Sequence, residues 1–349
     1  MNAWFRLEQL RARARLGLRA RLGLARTTYV DERNEEYRRY WSEAARALGA
    51  EFVELRPGIW EVRRGGRRVR LANHVAPFDD AATRKLAGDK VYCYGLARGV
   101  GVPVPAHLEL TAGNLEPARD FLRDQSPPFV VKPASDSASA LGVTTHVEGW
   151  REFRRAAALA SLYEYRILLE RMVAGESCRL LFLNGRMIHA VRRRGLRVTG
   201  DGRRTIRELL GAAGRDPLLQ DPNTRFTMAA TGLDPGQVPA AGADVLVRSL
   251  PPESGSTREL RTIYDEAVTH LCAPELIAQL ARVVEAVGSE FAGIDVITND
   301  LGRPLEASGG TFLEINTTPG IHHHYVAETD VGAGSVAQQV LAYLFRAQS

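Results

Sequence analysis

Two apolar runs, Cys178–Leu183 and Arg186–Val191, are separated only by Asn184-Gly185. Both residues of that pair tolerate positive φ, which a two-residue type I′ hairpin turn demands at its two central positions. The pair commits this stretch to antiparallel strands, because parallel neighbours need a long crossover. A second hairpin is expected at 59–71, turning at Gly65-Gly66 between Val62 and Val69. Further strands are expected at 52–55, 107–110, 129–132, 143–147, 244–249, 292–298 and 311–316. Helices are expected at 34–48, from the N-cap Asp89 to about Arg98, and at 114–124, 150–161, 204–213, 274–288 and 333–346. Helices mixed with hairpins, without a regular βαβ repeat, point to an α+β fold rather than a doubly wound sheet.

Length and charge remove several function classes. The 349 residues suffice for about two or three domains. Formal net charge is +5, but residues 1–26 hold seven Arg against one Glu, and the remainder sums to −1. Outside that arm there is no basic excess to bind nucleic acid. The arm reads as a solvated helical extension, the alternative being an amphipathic arm for a partner helix or an anionic membrane surface; arginines interrupt each of its apolar runs, so it is no secretory signal. No segment approaches the length of a membrane-spanning helix. Cys93, Cys178 and Cys272 are far apart and odd in number, which argues for a reducing, cytoplasmic compartment and against a disulfide framework.

Of the 46 basic residues only Lys85, Lys90 and Lys132 are lysines. A chain that writes its cations as Arg singles out sites that need a compact ammonium. Lys132 ends the apolar strand Phe129-Val-Val-Lys and precedes a small-residue loop, Pro133–Gly142, that includes Ser137 and Ser139. Such a loop can close around an anion, with backbone N–H groups and hydroxyls on phosphate oxygens and the ammonium as a point charge. The alternative is a flexible polar loop with a snorkelling lysine. Lys90 follows Asp89 at a helix start and can reach a phosphate from another element; Lys85 reads as a surface residue.

A second constellation lies near the end. Asp295 stands between apolar neighbours in Phe291-Ala-Gly-Ile-Asp-Val-Ile-Thr, and Glu314 and Asn316 lie two apart in Thr311-Phe-Leu-Glu-Ile-Asn. Residues i and i+2 of a strand share a face, leaving Leu313 and Ile315 for the core, and Asp295 joins them if the two strands pair. Two carboxylates and an amide oxygen are hard ligands suited to Mg²⁺. The alternative is two acids on a solvated sheet face. Between these sites, Arg166-Ile-Leu-Leu-Glu-Arg-Met-Val-Ala-Gly reads as a hinge strand whose backbone can meet a base edge.

Taken in order, Gly88-Asp-Lys, Val131-Lys-Pro, Gly200-Asp-Gly-Arg-Arg-Thr, Val238-Pro-Ala-Ala-Gly with Val245-Leu-Val-Arg, Gly293-Ile-Asp and Glu314-Ile-Asn-Thr-Thr-Pro-Gly resemble the ATP-grasp superfamily. Within it the chain is most similar to the ATP-grasp domain of cyanophycin synthetases, then to glutathione-synthetase-like ligases, over about residues 86–330. The resemblance implies two α+β lobes enclosing an ATP cleft: a short N-terminal region (1–85), an N-lobe (86–165) and a C-lobe (166–349). It implies an ATP- and Mg²⁺-dependent carboxylate–amine ligase working through an acyl phosphate on an amino acid or short peptide. The alternatives are a phosphotransferase or a nucleotide-binding module without turnover.

On that template Lys90, Lys132, Ser137, Ser139 and Gly142 hold phosphates. Glu170 and the backbone of Arg171, Met172 and Val173 hold adenine, and Glu176 takes the ribose because Ser177 stands where the family commonly has an acid. Asp295, Glu314 and Asn316 hold Mg²⁺, while Arg179, Arg193 and Arg248 are the basic active-site positions. D-Ala–D-Ala ligases carry an Arg at the position of Gly293, so the acyl-phosphate charge falls here to Arg193 or Arg248. The chain ends soon after the metal motif, without a Mur-ligase-like domain, so a two-reaction polymerising synthetase is not expected. Small-molecule substrates, no nucleic acid and no membrane span are expected, and a homodimer is allowed.

Gly320, His322 and His324 are expected to line the substrate mouth; the alternative is plain exposed surface. Consecutive strand residues alternate faces, so His322, His323 and His324 do not gather on one ion. Gly332-x-Gly334-x-x-Ala337 resembles a dinucleotide fingerprint, but too little chain follows to build the required βαβ unit, so it reads as a helix start.

Overall fold

The computed structural model describes residues 3–21, 28–135, 142–193, 195–215, 231–248, 265–326 and 335–347, with residues 219, 224 and 228 between them. Helices α1 (Ala3–Arg21) and α2 (Thr28–Ala47) lead into an antiparallel meander of β1 (Glu51–Arg56), β2 (Ile59–Arg64) and β3 (Arg67–Ala72). Then follow α3 (Ala81–Ala87), α4 (Lys90–Gly99), β4 (His107–Thr111), α5 (Ala118–Asp124), β5 (Phe129–Pro133), β6 (Thr144–Val147) and α6 (Trp150–Ala160). The rest comprises β7 (Arg166–Arg171), β8 (Glu176–Leu183), β9 (Arg186–Arg193), β10 (Leu196–Thr199), α7 (Ile206–Ala212), β11 (Asp244–Arg248), β12 (Asp265–Ala267), α8 (Pro274–Val287), β13 (Phe291–Thr298), α9 (Leu305–Ser308), β14 (Thr311–Asn316), α10 (His323–Val326) and α11 (Val336–Ala347).

Every strand pairing among the described residues is antiparallel, as the hairpin signals require. Asn184 and Gly185 both take positive φ (49° and 72°) in the β8–β9 turn. Two sheets matter for the site, β4-β7-β5-β6 and β12-β9-β8-β13-β14, and β7 (166–171) pairs within the first of them. Alternate residues of β8 and β13 (Cys178, Leu180, Phe182, Ala292, Ile294, Val296) pack with Leu276, Leu280, Val283 and Val284 of α8 in one core. On the opposite face Arg179 and Asp295 form a polar end, while Leu181, Leu183 and Phe291 are apolar.

The N-terminal meander does not stand alone. Trp60, Val62, Val69 and Leu71 share a core with Trp41 and Ala45 of α2, Leu181 and Leu183 of β8, Phe291, and Val340 and Leu344 of α11. The first helix corrects the expectation of a solvated arm. Phe5 is buried, Gln9 Nε2 donates to Ser161 Oγ at 2.8 Å, and Arg154 stacks 3.4 Å over the Trp4 ring. The adjacent aromatics Trp4 and Phe5 dock the helix on α6, a signal that the arginine count had masked.

Other differences are local. The helix expected from 114 begins at Ala118, because Asn114 N–H closes a turn on Thr111 O. Thr205 caps α7 in a reciprocal box with Glu208, which sets its start at Ile206. Two motifs that are distant in sequence prove to be one knot of backbone. Gly200 N donates to Ala243 O, Gly242 N to Gly200 O and Gly202 N to Pro239 O, at 2.8–3.1 Å. A Cβ at Gly200 would lie 2.3 Å from Ala240 O, so only glycine permits that approach.

Candidate active site

The first half of the site stands on β5, β7 and α4. Val130 lies opposite Glu170 and Lys132 opposite Leu168, so Lys132 and Glu170 share a sheet face. Lys132 Nζ lies 2.8 Å from Glu170 Oε1, with both side chains less than a tenth exposed. Tyr94 OH donates to the same Oε1 at 2.6 Å, and Lys132 Nζ donates to Tyr94 OH at 3.2 Å. Asp89 caps α4 by accepting from Tyr92 N, and Arg166 Nη1 holds its other oxygen at 2.6 Å. Lys90 N donates to Ala134 O, which brings the helix start beside the end of β5. Lys90 is buried, and that burial draws its ammonium below its usual pKa against the opposing pull of Glu314.

The hinge strand offers less backbone than its sequence implies. Arg171 N donates to Ala106 O and Met172 N to Pro128 O, so of the three residues Val173 retains an N–H without a partner among the described residues. Gly175 (φ 142°) turns the chain where a Cβ would meet Ile297 Cγ2 at 2.8 Å. Glu176 Oε2 pairs with Arg192 at 2.8 Å. Gly142 (φ 75°) packs where a Cβ would reach Tyr163 Cδ2 at 2.7 Å. Ser137 and Ser139 lie outside the described residues. Arg248 places its backbone in β11, opposite Leu196.

The second half occupies the polar end of one face of the five-stranded sheet. Asp295 lies opposite Glu314 on one side and Arg179 on the other, and Asn316 lies opposite Gly293. Asp295, Glu314 and Asn316 therefore meet as the strand spacing predicted. The register shifts between Asp295 and Val296, however, so Phe312 joins Ile315 in the core and Leu313 is only partly buried. A bulge is the reason: one extra residue flips the alternation beyond it.

Asp295 is buried and accepts four hydrogen bonds: two of 2.6 Å from Arg179 and two of 3.3 Å from Arg193. Burial alone would raise its carboxyl; the two guanidiniums overcome this and hold it well below the usual range. Glu314 is the more open carboxylate, with 30% of its side chain exposed, and Asn316 Nδ2 donates to its Oε1 at 3.4 Å. Gly293 leaves room for the Arg179 stem, since a Cβ there would sit 3.3 Å from Arg179 Cδ. The space at 293 is thus crossed by a basic side chain from the neighbouring strand.

The three histidines are buried, contrary to the exposed alternative. His322 Nδ1 lies 2.6 Å from Tyr37 OH, and His324 Nδ1 lies 2.8 Å from His189 Nδ1, so they serve different contacts. Burial pushes His189 down to about 4, and burial with the nearby His189 and two arginines holds His324 well below its usual value. Gly320 sits against this loop, where a Cβ would lie 2.6 Å from His322 Cε1. Sequence reading missed Tyr94, His189 and Tyr37. Tyr94 was recoverable, because it stands four residues after Lys90 on the same helix face.

No family model matches the chain. It is 28% identical over 358 aligned positions to a cyanophycin synthetase from Synechocystis, covering 97% of this chain and 38% of that protein. It is 30% identical over 275 positions to a cyanophycin synthetase from Trichormus variabilis, covering 75% and 29%. It is 25% identical over 296 positions to a glutathione biosynthesis bifunctional protein from Streptococcus mutans, covering 82% and 38%. Among solved structures it resembles a bifunctional glutathione synthetase from Pasteurella multocida, with TM-score 0.59, 20% identity, and 87% of this chain against 43% of that one. The chain spans less than two fifths of the length of these curated relatives. Among the described residues no helix is long and apolar enough to cross a membrane.

Proposed function

We propose, for a chain that is homologous to cyanophycin synthetases and bifunctional glutathione enzymes and that has the fold of the ATP-grasp ligases, a carboxylate–amine ligation driven by ATP. The observation that carries this reading is the polar end of the sheet face on which Asp295, Glu314 and Asn316 gather beside Arg179 and Arg193. A carboxylate oxygen attacks the γ-phosphorus, ADP leaves, and an acyl phosphate forms. An amine then attacks the acyl carbon, phosphate leaves, and the amide results. Lys90 and Lys132 hold phosphate oxygens as point charges, and Glu170 with Val173 N–H meets the base. Arg179 and Arg193 would stabilise the negative charge that develops on the transferred group. Holding both substrates in place makes up much of the rest, so no nucleophilic side chain is required.

The donor set fits Mg²⁺: two carboxylates and an amide oxygen on one face, all hard ligands. Glu314 and Asn316 would hold the cation from the open side, and Asp295 would do so by sharing oxygens now bonded to the guanidiniums. The ion supplies charge neutralisation across the phosphate oxygens. The substrate class is an amino acid or short peptide carboxylate with an amino-acid amine, acting in the cytoplasm, where ATP and reduced thiols coexist. ADP release measured on pooled amino acids tests the reading. Release that requires both a carboxylate and an amine supports ligation, while a phosphorylated single acceptor without amide product identifies a phosphotransferase and ends it.

A further inference from the structure

The Tyr94 hydroxyl lies at the centre of the nucleotide half of the site, yet it belongs to no phosphate- or metal-binding motif. It donates to Glu170 Oε1 at 2.6 Å and accepts from Lys132 Nζ at 3.2 Å, while the same lysine reaches the same Oε1 at 2.8 Å. The ring is fully buried, edge-on to Phe312 of β14 in the same core (centroids 6.1 Å, 77°) and 4.8 Å from the His107 ring. Burial, reinforced by Glu170, holds the phenol well above its usual pKa, so it remains a donor at neutral pH.

The consequence lies in the lone pairs of Glu170. Both bonds fall on Oε1, and Oε2 has no partner among the described residues. An ionised carboxylate can only accept. A carboxylate held with one free oxygen suits a base edge that presents an exocyclic amino group, as adenine does, and repels the carbonyl oxygen that guanine presents at the same place.

We propose that Tyr94 is a positioning residue for base selection: it fixes Glu170 Oε1 and Lys132, so that Oε2 alone is left to choose an amino-bearing purine nucleotide over an oxo-bearing one. This rests on the nucleotide reading of the cleft given above. Without the hydroxyl, Glu170 Oε1 keeps only Lys132, so its intrinsically broad terminal torsion is held less firmly, and Lys132 loses one of its two acceptors.

Calorimetric titration of the whole chain with Mg²⁺-AMPPNP and Mg²⁺-GMPPNP tests this, using wild type, Tyr94→Phe and Glu170→Gln. Tyr94→Phe keeps the ring contacts and should lower AMPPNP affinity about tenfold and cut the AMPPNP-to-GMPPNP preference by a similar factor, the size expected for a lost bond to a charged group. Glu170→Gln offers a donor beside an acceptor and should likewise erase the preference, which keeps the test open if the tyrosine variant misfolds. Wild-type preference retained in either variant overturns the role of Tyr94 and Oε2, even if the melting temperature falls. Wild type that binds neither nucleotide defeats the nucleotide reading itself, a result distinct from binding with unaltered preference.

Discussion

Arg179 grips Asp295 through two parallel bonds of 2.6 Å, from Nε to Oδ1 and from Nη2 to Oδ2, across the β8–β13 register. Arg193 reaches the same carboxylate from β9 at 3.3 Å. Removing one member of a buried ion pair costs about 3–5 kcal/mol, because the other charge is left uncompensated. Arg179→Ala should fall in that range. Arg193→Ala should cost less, since Asp295 keeps its two short bonds. Urea unfolding of both variants measures the order; a larger loss for Arg193→Ala would refute it.

Gly293 is the notch through which Arg179 passes. A Cβ there would lie 3.0 Å from Pro319 Cβ and 3.3 Å from Arg179 Cδ. Gly293→Ala should cost about 1–2 kcal/mol through overpacking and should depress turnover by displacing the guanidinium. Stability and ADP release read together check this, and wild-type values for both would show that the notch has no role.

Lys132 and Lys85 make a contrasting pair. Lys132 is confined between Glu170 and Tyr94 in a site that a longer, planar guanidinium does not fit. Lys85 is exposed in the last turn of α3. Lys132→Arg should weaken AMPPNP binding by at least about tenfold, the loss of one charge-assisted bond, while Lys85→Arg leaves it unchanged. Equal affinities for the two variants would remove Lys132 from the phosphate site.

Acid should loosen the buried contact between His189 and His324. Burial lowers His189 to about 4 in the folded protein from an ordinary value near 6.5. Between these values the unfolded chain binds more protons, so stability falls as pH drops from about 6.5 towards 4, by up to roughly 2–3 kcal/mol. Denaturant midpoints at pH 7, 6 and 5 should decline in that order, and less steeply in His189→Asn. A flat or rising series would mean that the imidazole is not buried neutral.

The legible parts of this protein are those governed by short-range rules. Asn184-Gly185 gave its turn because both residues accept positive φ, and Glu314 and Asn316 share a face because a strand alternates. The bulge beside Asp295 was not legible: nothing in Thr311–Asn316 marks which residue is the extra one, and Phe312 rather than Leu313 entered the core. The docking of α1 was obscured by its arginines, although Trp4 and Phe5 carried it. Tyr94 was passed over because a tyrosine on a helix face is ordinary until the carboxylate it meets is known.

The sequence alone determined the antiparallel α+β plan, the strand that ends in Lys132 and the spacing that sets two carboxylates and an amide on one face. These follow from backbone periodicity and turn chemistry, which act over a few residues. Tertiary structure decided which charges meet. Arg179 and Asp295 are 116 residues apart, Tyr94 and Glu170 are 76 apart, and His189 and His324 are 135 apart. Their pairing depends on strand order and helix docking, which arise only when buried faces from distant segments pack together. That packing also takes the charges out of water, so that Asp295 stays ionised between two guanidiniums while His189 is held neutral.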